Sequence, residues 1–150
     1  MADNRGVGDK GEISVSNRIN CPNCGRKLIL LPPNYPLYDI QCSGCSFRAQ
    51  IKTSTDKPNA TVRGAGWIIM EKVLKAGFIT PPLIVNFNWI ERGKKKQEIR
   101  LYPFIPKQNL KPYKIGKKAI RRGYKMFNYI NLDKIPFFTL YPKTSKKYTK

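Results

Sequence analysis

The chain has no histidine, few acidic residues and no long apolar run, and each absence narrows the kind of protein it can be. Without histidine, any metal site or catalytic base must use other side chains. No apolar stretch approaches the roughly 18 residues of a transmembrane helix. The polar N-terminus is unlike a signal peptide. We therefore expect a cytoplasmic protein that has no membrane partner.

The excess of positive charge points to a polyanionic partner. The 150 residues carry 29 Lys and Arg against 9 Asp and Glu, a formal net charge of +20. A charge of this size repels itself in a compact fold, and nucleic acid is its usual counterpart. The length suits one ordinary domain. We expect a zinc-braced nuclease-like domain over residues 20–142, between an N-terminal segment (1–19) and a basic tail (143–150).

The four cysteines form two CxxC pairs that are 17 residues apart. Two thiolates three positions apart can both reach one tetrahedral zinc ion, and a second pair completes the four ligands. Such a closed site stabilises structure rather than performing hydrolysis. A redox CxxC or four buried free thiols are the alternatives, and the paired spacing disfavours both. The predicted zinc ligands are Cys21, Cys24, Cys42 and Cys45.

A second pattern overlaps the cysteine region. Asp39 lies between the two pairs, and Gln50-Ile51-Lys52 follows them. Residues i and i+2 of a strand share a face, so Gln50 and Lys52 point together and Asp39 on a neighbouring strand can meet them. The Asp39 carboxylate, the Gln50 side-chain oxygen and the Ile51 carbonyl could hold Mg²⁺, while Lys52 orients or deprotonates water. The alternative is an ordinary strand with a solvated polar face.

The hydrophobic pattern predicts a mixed α/β fold. One helix is predicted over 63–76, and only a short helix or strand near 12–17. Strands are predicted at 27–31, 37–42, 46–53, 82–90, 97–104, 128–132 and 136–141.

A run of positive charge lies in the last third of the chain. Residues 107–125 include eight basic residues and no acidic one. Basic side chains in such a run would contact phosphates, which gives salt-dependent affinity with little sequence information. A solvated basic face is the alternative, and the absence of acidic residues favours DNA contact. The residues predicted to contact DNA are Lys117, Lys118, Arg121 and Arg122.

Short stretches across roughly residues 10–142 match one family in their order and spacing. They are Cys21-Pro-Asn-Cys24-Gly25, the spacing from Asp39 to Lys52, Arg63-Gly64-Ala65, Leu101-Tyr102-Pro103, Arg121-Arg122-Gly123-Tyr124 and Asn128-Tyr129-Ile130-Asn131-Leu132. Together they resemble the DpnI-type, Dam-replacing restriction endonucleases. The resemblance implies a PD-(D/E)xK restriction-endonuclease-like core with a four-cysteine zinc element, and Mg²⁺-dependent cleavage of DNA.

The resemblance also assigns roles to single residues. Asp39 and Lys52 match the metal-binding Asp and the catalytic Lys of the family, and Gln50 stands where the family usually has Glu. An amide still offers an oxygen but removes one negative charge, so Mg²⁺ binding should weaken. Glu12 is either a further acidic ligand or an ordinary surface residue.

These observations support two functions. The first is a Mg²⁺-dependent endonuclease of restriction or defence type that cuts double-stranded DNA, with a homodimer supplying one site per strand. The alternative is a non-catalytic zinc-containing DNA- or RNA-binding protein with a decayed nuclease site, and Gln50 favours this alternative.

Overall fold

The structure, a computed structural model, describes residues 4–33, 35–113 and 126–142. The predicted DNA-contact residues lie outside these described residues; they are Lys117, Lys118, Arg121 and Arg122. The domain limits expected from the sequence stay predictions.

A six-stranded mixed sheet forms the centre of the fold, and a three-stranded sheet lies against one of its faces. The helices are α1 (Asn4–Arg18) and α2 (Trp67–Lys75). The strands are β1 (Leu28–Leu30), β2 (Ile40–Cys42), β3 (Arg48–Ser54), β4 (Val62–Ala65), β5 (Leu83–Glu91), β6 (Lys94–Tyr102), β7 (Leu110–Tyr113), β8 (Met126–Tyr129) and β9 (Phe138–Tyr141). Short 3₁₀ turns occupy Lys107–Asn109 and Leu132–Lys134. The mixed α/β class predicted from the sequence is confirmed.

The large sheet has the strand order β1-β2-β3-β5-β6-β9, and the small sheet has the order β4-β8-β7. Strands β3 and β5 run parallel, whereas the other neighbours run antiparallel. A parallel pair needs a crossover connection, and β4 together with α2 supplies it. No helix within the described residues is long and apolar enough to cross a membrane.

The two faces of the large sheet carry separate apolar cores. Side chains alternate along β5, so Ile84 belongs to the core under α1 while Leu83 and Val85 belong to the core under the small sheet. Phe127 and Tyr129 of β8 fill the second core. The strand β3 therefore has α1 on one side and the small sheet on the other.

The helix predicted over 63–76 begins later, because its first residues belong to a strand. Residues 62–65 form β4, which pairs with β8, and α2 starts at Trp67 after Gly66 at a φ of 81°. A Cβ on Gly64 would lie 2.6 Å from Cζ of Phe127. The small residues at this point thus allow two strands and a large aromatic ring to approach closely.

Helix α1 is longer than the short element predicted near 12–17. A Cβ on Gly11 would lie 1.9 Å from Oγ1 of Thr53, so the helix approaches β3 at a distance that a larger residue would prevent. Val15 and Ile19 are buried against the same face of the sheet. The helix is therefore defined by its fit to the sheet rather than by an apolar stripe in its own sequence.

A buried polar network fastens α1 to the sheet. The Asn86 side chain is fully buried, and its Nδ2 donates to the carbonyl oxygen of Gly11 at 3.2 Å. Gln97 Nε2 donates to Asn86 Oδ1 at 2.8 Å and to Ser14 Oγ at 3.0 Å. Because buried polar groups need partners, these bonds favour one position of α1 along the sheet.

Candidate active site and four-cysteine cluster

The four cysteines come together, as predicted from their spacing. Their Sγ atoms all lie within 4.8 Å of one another. Cys21 and Cys45 are 3.6 Å apart between sulfurs, and Cys24 and Cys42 are 3.3 Å apart. This cluster could hold a metal ion such as zinc.

Amide groups point at the sulfurs of both CxxC turns. The Asn23 backbone N–H donates to Cys21 Sγ at 3.4 Å, and the Gly44 N–H donates to Cys42 Sγ at 3.3 Å. The Asn23 side-chain amide donates to Cys45 Sγ at 3.5 Å and is the main cause that lowers the pKa of this thiol to about 6. Donors of this kind favour thiolates, which are the form that binds zinc.

The cluster supports the strand next to Asp39. Cys42 is the last residue of β2 and pairs with Leu28 of β1. The other end of β2 pairs with β3, where Ile40 faces Ala49. Both β1 and β2 are three residues long. Strands this short need support from outside, and the cysteine cluster supplies it at one end of β2.

Asp39 lies immediately before β2 and is bonded to β3 twice. Its backbone N–H donates to the carbonyl oxygen of Ala49 at 3.0 Å. Its carboxylate oxygen Oδ2 accepts the N–H of Ile51 at 2.7 Å. The Asp39 side chain therefore lies beside Ile51, the middle residue of the Gln50-Ile51-Lys52 segment, just beyond the end of β2.

Gln50 and Lys52 lie on the face of β3 that is turned towards the small sheet. Gln50 Oε1 accepts a hydrogen bond from the Tyr129 hydroxyl at 2.8 Å. Tyr129 is 1% exposed and belongs to the core under the small sheet. Sequence reasoning assigned no role to Tyr129, because a tyrosine in a half-apolar strand is typical of an ordinary core position.

The charges of Asp39 and Lys52 are both opposed by burial. Desolvation raises the pKa of Asp39, although the Ile51 N–H and the nearby Lys52 counteract it. Desolvation lowers the pKa of Lys52, against the opposing effect of the carboxylates of Asp39 and Glu12. Burial, together with the charge of Asp39, raises the pKa of the Tyr129 hydroxyl. Such perturbed groups, gathered in one place, are typical of functional sites.

Helix α1 brings Glu12 into the electrostatic environment of Lys52. Glu12 is half-buried, and it follows the tightly fitted Gly11 by one residue. Its carboxylate acts to raise the pKa of Lys52. Of the two interpretations of Glu12, this electrostatic effect on Lys52 favours the one that associates it with the site.

The assembled groups are mostly oxygen donors with one amine. A carboxylate, an amide oxygen and a backbone carbonyl are the ligands that hard cations such as Mg²⁺ accept. Oε1 of Gln50 has two lone pairs, and Tyr129 uses one of them. Gln50 Oε1 therefore keeps one lone pair besides the one that accepts the hydrogen bond from Tyr129.

A comparison with protein-family models identifies the class. Residues 10–140 match the family described as DpnI: Dam-replacing family. The chain belongs to this family, which confirms the resemblance found in the sequence. Membership implies restriction-type endonuclease activity and, with it, binding of DNA. A search of curated proteins gave no match.

The four-cysteine cluster leads to a metal-content prediction. We expect the purified protein to contain about one zinc ion per chain, measured by elemental analysis. Cys42→Ser should lose the zinc and lower the Tm by about 10 °C or more, because a closed thiolate site contributes directly to folding free energy. Ser43→Ala, an exposed neighbour, is the control. A folded wild-type protein that contains no metal would contradict the expectation.

The burial of Asp39 leads to a stability prediction. A carboxyl whose pKa is raised in the fold destabilises the fold when it ionises, so stability is lost as pH rises through that pKa. Asp39→Asn keeps an acceptor for the Ile51 N–H but removes the charge. Without added Mg²⁺, this variant should melt at a higher temperature than wild type at pH 7, and the difference should shrink as pH falls.

Asp56→Asn, a change at an exposed carboxylate, is the matched control for this melting experiment. If Asp39→Asn melts below wild type at pH 7, the attraction between Asp39 and Lys52 outweighs the cost of burying the carboxylate, and the electrostatic account of the site is wrong.

Proposed function

We propose that the protein is a Mg²⁺-dependent DNA endonuclease, of restriction or defence type, that hydrolyses phosphodiester bonds at Asp39, Gln50 and Lys52. The observation that carries this proposal is the hydrogen bond from Ile51 N–H to Asp39, which sets the carboxylate beside the Gln50-Ile51-Lys52 segment. Zinc in the four-cysteine cluster would have a structural role, since four thiolates leave no open position for substrate.

The proposed Mg²⁺ ligands are Asp39, Gln50 and Ile51. The N–H and C=O of one strand residue point to the same edge. The Ile51 N–H is directed at Asp39, so its carbonyl is on that side as well. Gln50 would contribute Oε1. Bound Mg²⁺ would polarise the scissile phosphate and activate water.

Lys52 is the proposed proton-transfer and charge-stabilising group. Because burial lowers its pKa, a larger fraction of its amine is neutral near physiological pH than for an exposed lysine. The neutral Nζ can accept a proton from the attacking water as the new P–O bond forms and the bond to the leaving oxygen breaks. The resulting ammonium then stabilises the negative charge on the phosphate oxygens. A homodimer would apply one such site to each strand of a duplex.

Gln50 supports a second candidate function. With an amide in place of a carboxylate, the site has one less negative charge to hold Mg²⁺. A chain with such a site could bind DNA or RNA through its basic surface without cutting it. A cleavage assay with Lys52→Met and Gln50→Glu separates the two candidates.

Cleavage of plasmid DNA by Lys52→Met should be slower than wild type by about 100-fold or more, because the variant keeps the unbranched apolar stem of the side chain but removes the amine. Its DNA affinity should be retained. Lys57→Met, at an exposed lysine in the loop after β3, is the control. Gln50→Glu should cut at a lower Mg²⁺ concentration than wild type.

Unchanged cleavage by Lys52→Met would rule out the role assigned to this residue. If neither wild type nor Gln50→Glu cuts DNA with Mg²⁺ or Mn²⁺, the non-catalytic function is the correct one. Cleavage by Gln50→Glu alone would mean that the scaffold is intact and the wild-type metal site is disabled.

The hydrogen bond from Tyr129 gives a further test of the metal site. Tyr129→Phe removes one buried oxygen atom and leaves the Gln50 amide free to turn. We expect the half-saturating Mg²⁺ concentration for cleavage to rise about tenfold, while the rate at saturating Mg²⁺ stays near wild type. A purely structural role for Tyr129 would not shift the metal dependence.

Tyr102→Phe is the matched control for this experiment. Tyr102 is equally buried in the same core, and its hydroxyl interacts with Arg100 rather than with a residue of the proposed site. Equal shifts in Mg²⁺ dependence for the two variants would contradict the role of Tyr129 as a positioning residue.

A further inference from the structure

The β5–β6 hairpin extends past the strand that carries Gln50 and Lys52. The pairing of β3 with β5 ends where Ser54 faces Phe87. The pairing of β5 with β6 continues to Glu91 and Lys94. These four further residues add about 13 Å to the length of the sheet. The hairpin end is thus a two-stranded ribbon beside the carboxyl end of β3.

This ribbon carries three consecutive exposed lysines. Lys94, Lys95 and Lys96 are all exposed, and none of them forms an ion pair with another described residue. Glu98, further along β6, is bonded to Arg100 instead. Glu91 faces Lys94 across the hairpin, whereas Lys95 and Lys96 face the apolar Ile90 and Trp89. The hairpin end therefore keeps an excess of positive charge, which a polyanionic partner would neutralise.

Two of the lysines lie on the same face of the sheet as Lys52. Lys52 faces Val85 across the β3–β5 pair, and side chains alternate along β5, so Trp89 shares the face of Val85. Trp89 faces Lys96 across the β5–β6 pair, and Lys94 follows two residues away on the same face. Lys95 is turned to the opposite face, on the side of α1.

We propose that Lys94 and Lys96 bind the phosphate backbone of duplex DNA next to the phosphodiester held at Lys52. This inference rests on the proposed nuclease function. Trp89, and with it Lys96, lies four residues along the sheet from Val85, which is about 13 Å. Measured along the helix axis, that separation spans about four base pairs of a duplex. The hairpin would contact phosphates without reading sequence.

The test measures the salt dependence of DNA affinity. Binding of a fluorescent duplex of about 20 base pairs is followed by anisotropy over a range of salt concentrations. Ca²⁺ replaces Mg²⁺ to prevent cleavage. The double variant Lys94→Gln/Lys96→Gln should lower the magnitude of the slope of log K against log salt by about 1.8, since each phosphate contact contributes about 0.9. Affinity at 0.1 M salt should fall by about 10- to 100-fold.

Two controls keep the result specific. Lys95→Gln changes the neighbouring lysine on the opposite face, and its slope should match wild type. Lys72→Gln/Lys75→Gln removes the same charge as the double variant from exposed positions on α2 and should also leave the slope unchanged. Circular dichroism melts should show that all variants are folded, because every changed side chain is exposed.

The outcomes separate this inference from the nuclease proposal. An unchanged slope for Lys94→Gln/Lys96→Gln, with DNA cleavage by wild type intact, would mean that the hairpin lysines are solvated and would leave the proposed function standing. If the control variants lowered the slope by the same amount, the effect would come from net charge alone, and the inference would be overturned. No salt-dependent DNA binding by wild type would overturn both proposals.

Discussion

The hydrogen bond from the Ile51 N–H to the Asp39 carboxylate connects the cysteine-bearing part of the sheet to β3. On one side is a pair of three-residue strands, β1 and β2, stabilised by the four-cysteine cluster. On the other side is β3, which is buried between α1 and the small sheet. Without support at the cysteine end, β2 would be too short to hold Asp39 in register against β3. In the proposed function the cluster would therefore help to position Asp39, although it lies apart from the reacting groups.

The site combines groups whose burial works against their charges. Asp39 and Lys52 are both shifted towards their neutral forms, and Glu12 and Asp39 partly restore the ammonium form of Lys52. A glutamate at position 50 would add a negative charge close to Asp39 and to the buried Tyr129 hydroxyl. The amide of Gln50 avoids this repulsion and still accepts the hydrogen bond from Tyr129. In the proposed function, Gln50 would thus lower the repulsion in the metal-free fold at the expense of affinity for Mg²⁺.

Much of this arrangement could be predicted from short-range patterns, because it depends on spacing along the chain. Two CxxC pairs imply a common cluster, and the period of a strand implies that Gln50 and Lys52 share a face. Helix α1 could not be predicted at its full length, since it is stabilised by the close fit of Gly11 on Thr53 and by Asn86, which is distant in sequence.

Two other features depended on contacts between segments far apart in the chain. The sequence predicts a helix from residue 63, whereas residues 62–65 form a strand, because small residues that admit Phe127 look the same in sequence as a flexible helix start. Tyr129 was overlooked for a similar reason, since its hydroxyl meets a partner 79 positions away.

The proposed function depends on a divalent cation that Asp39, Gln50 and Ile51 hold together. A crystal of the protein soaked in Mn²⁺, measured at a wavelength where manganese scatters anomalously, tests it most directly. We predict one manganese peak at about 2.2 Å from the Asp39 carboxylate, Gln50 Oε1 and the Ile51 carbonyl oxygen. A peak elsewhere, or no peak when a DNA duplex is also bound, would contradict the account.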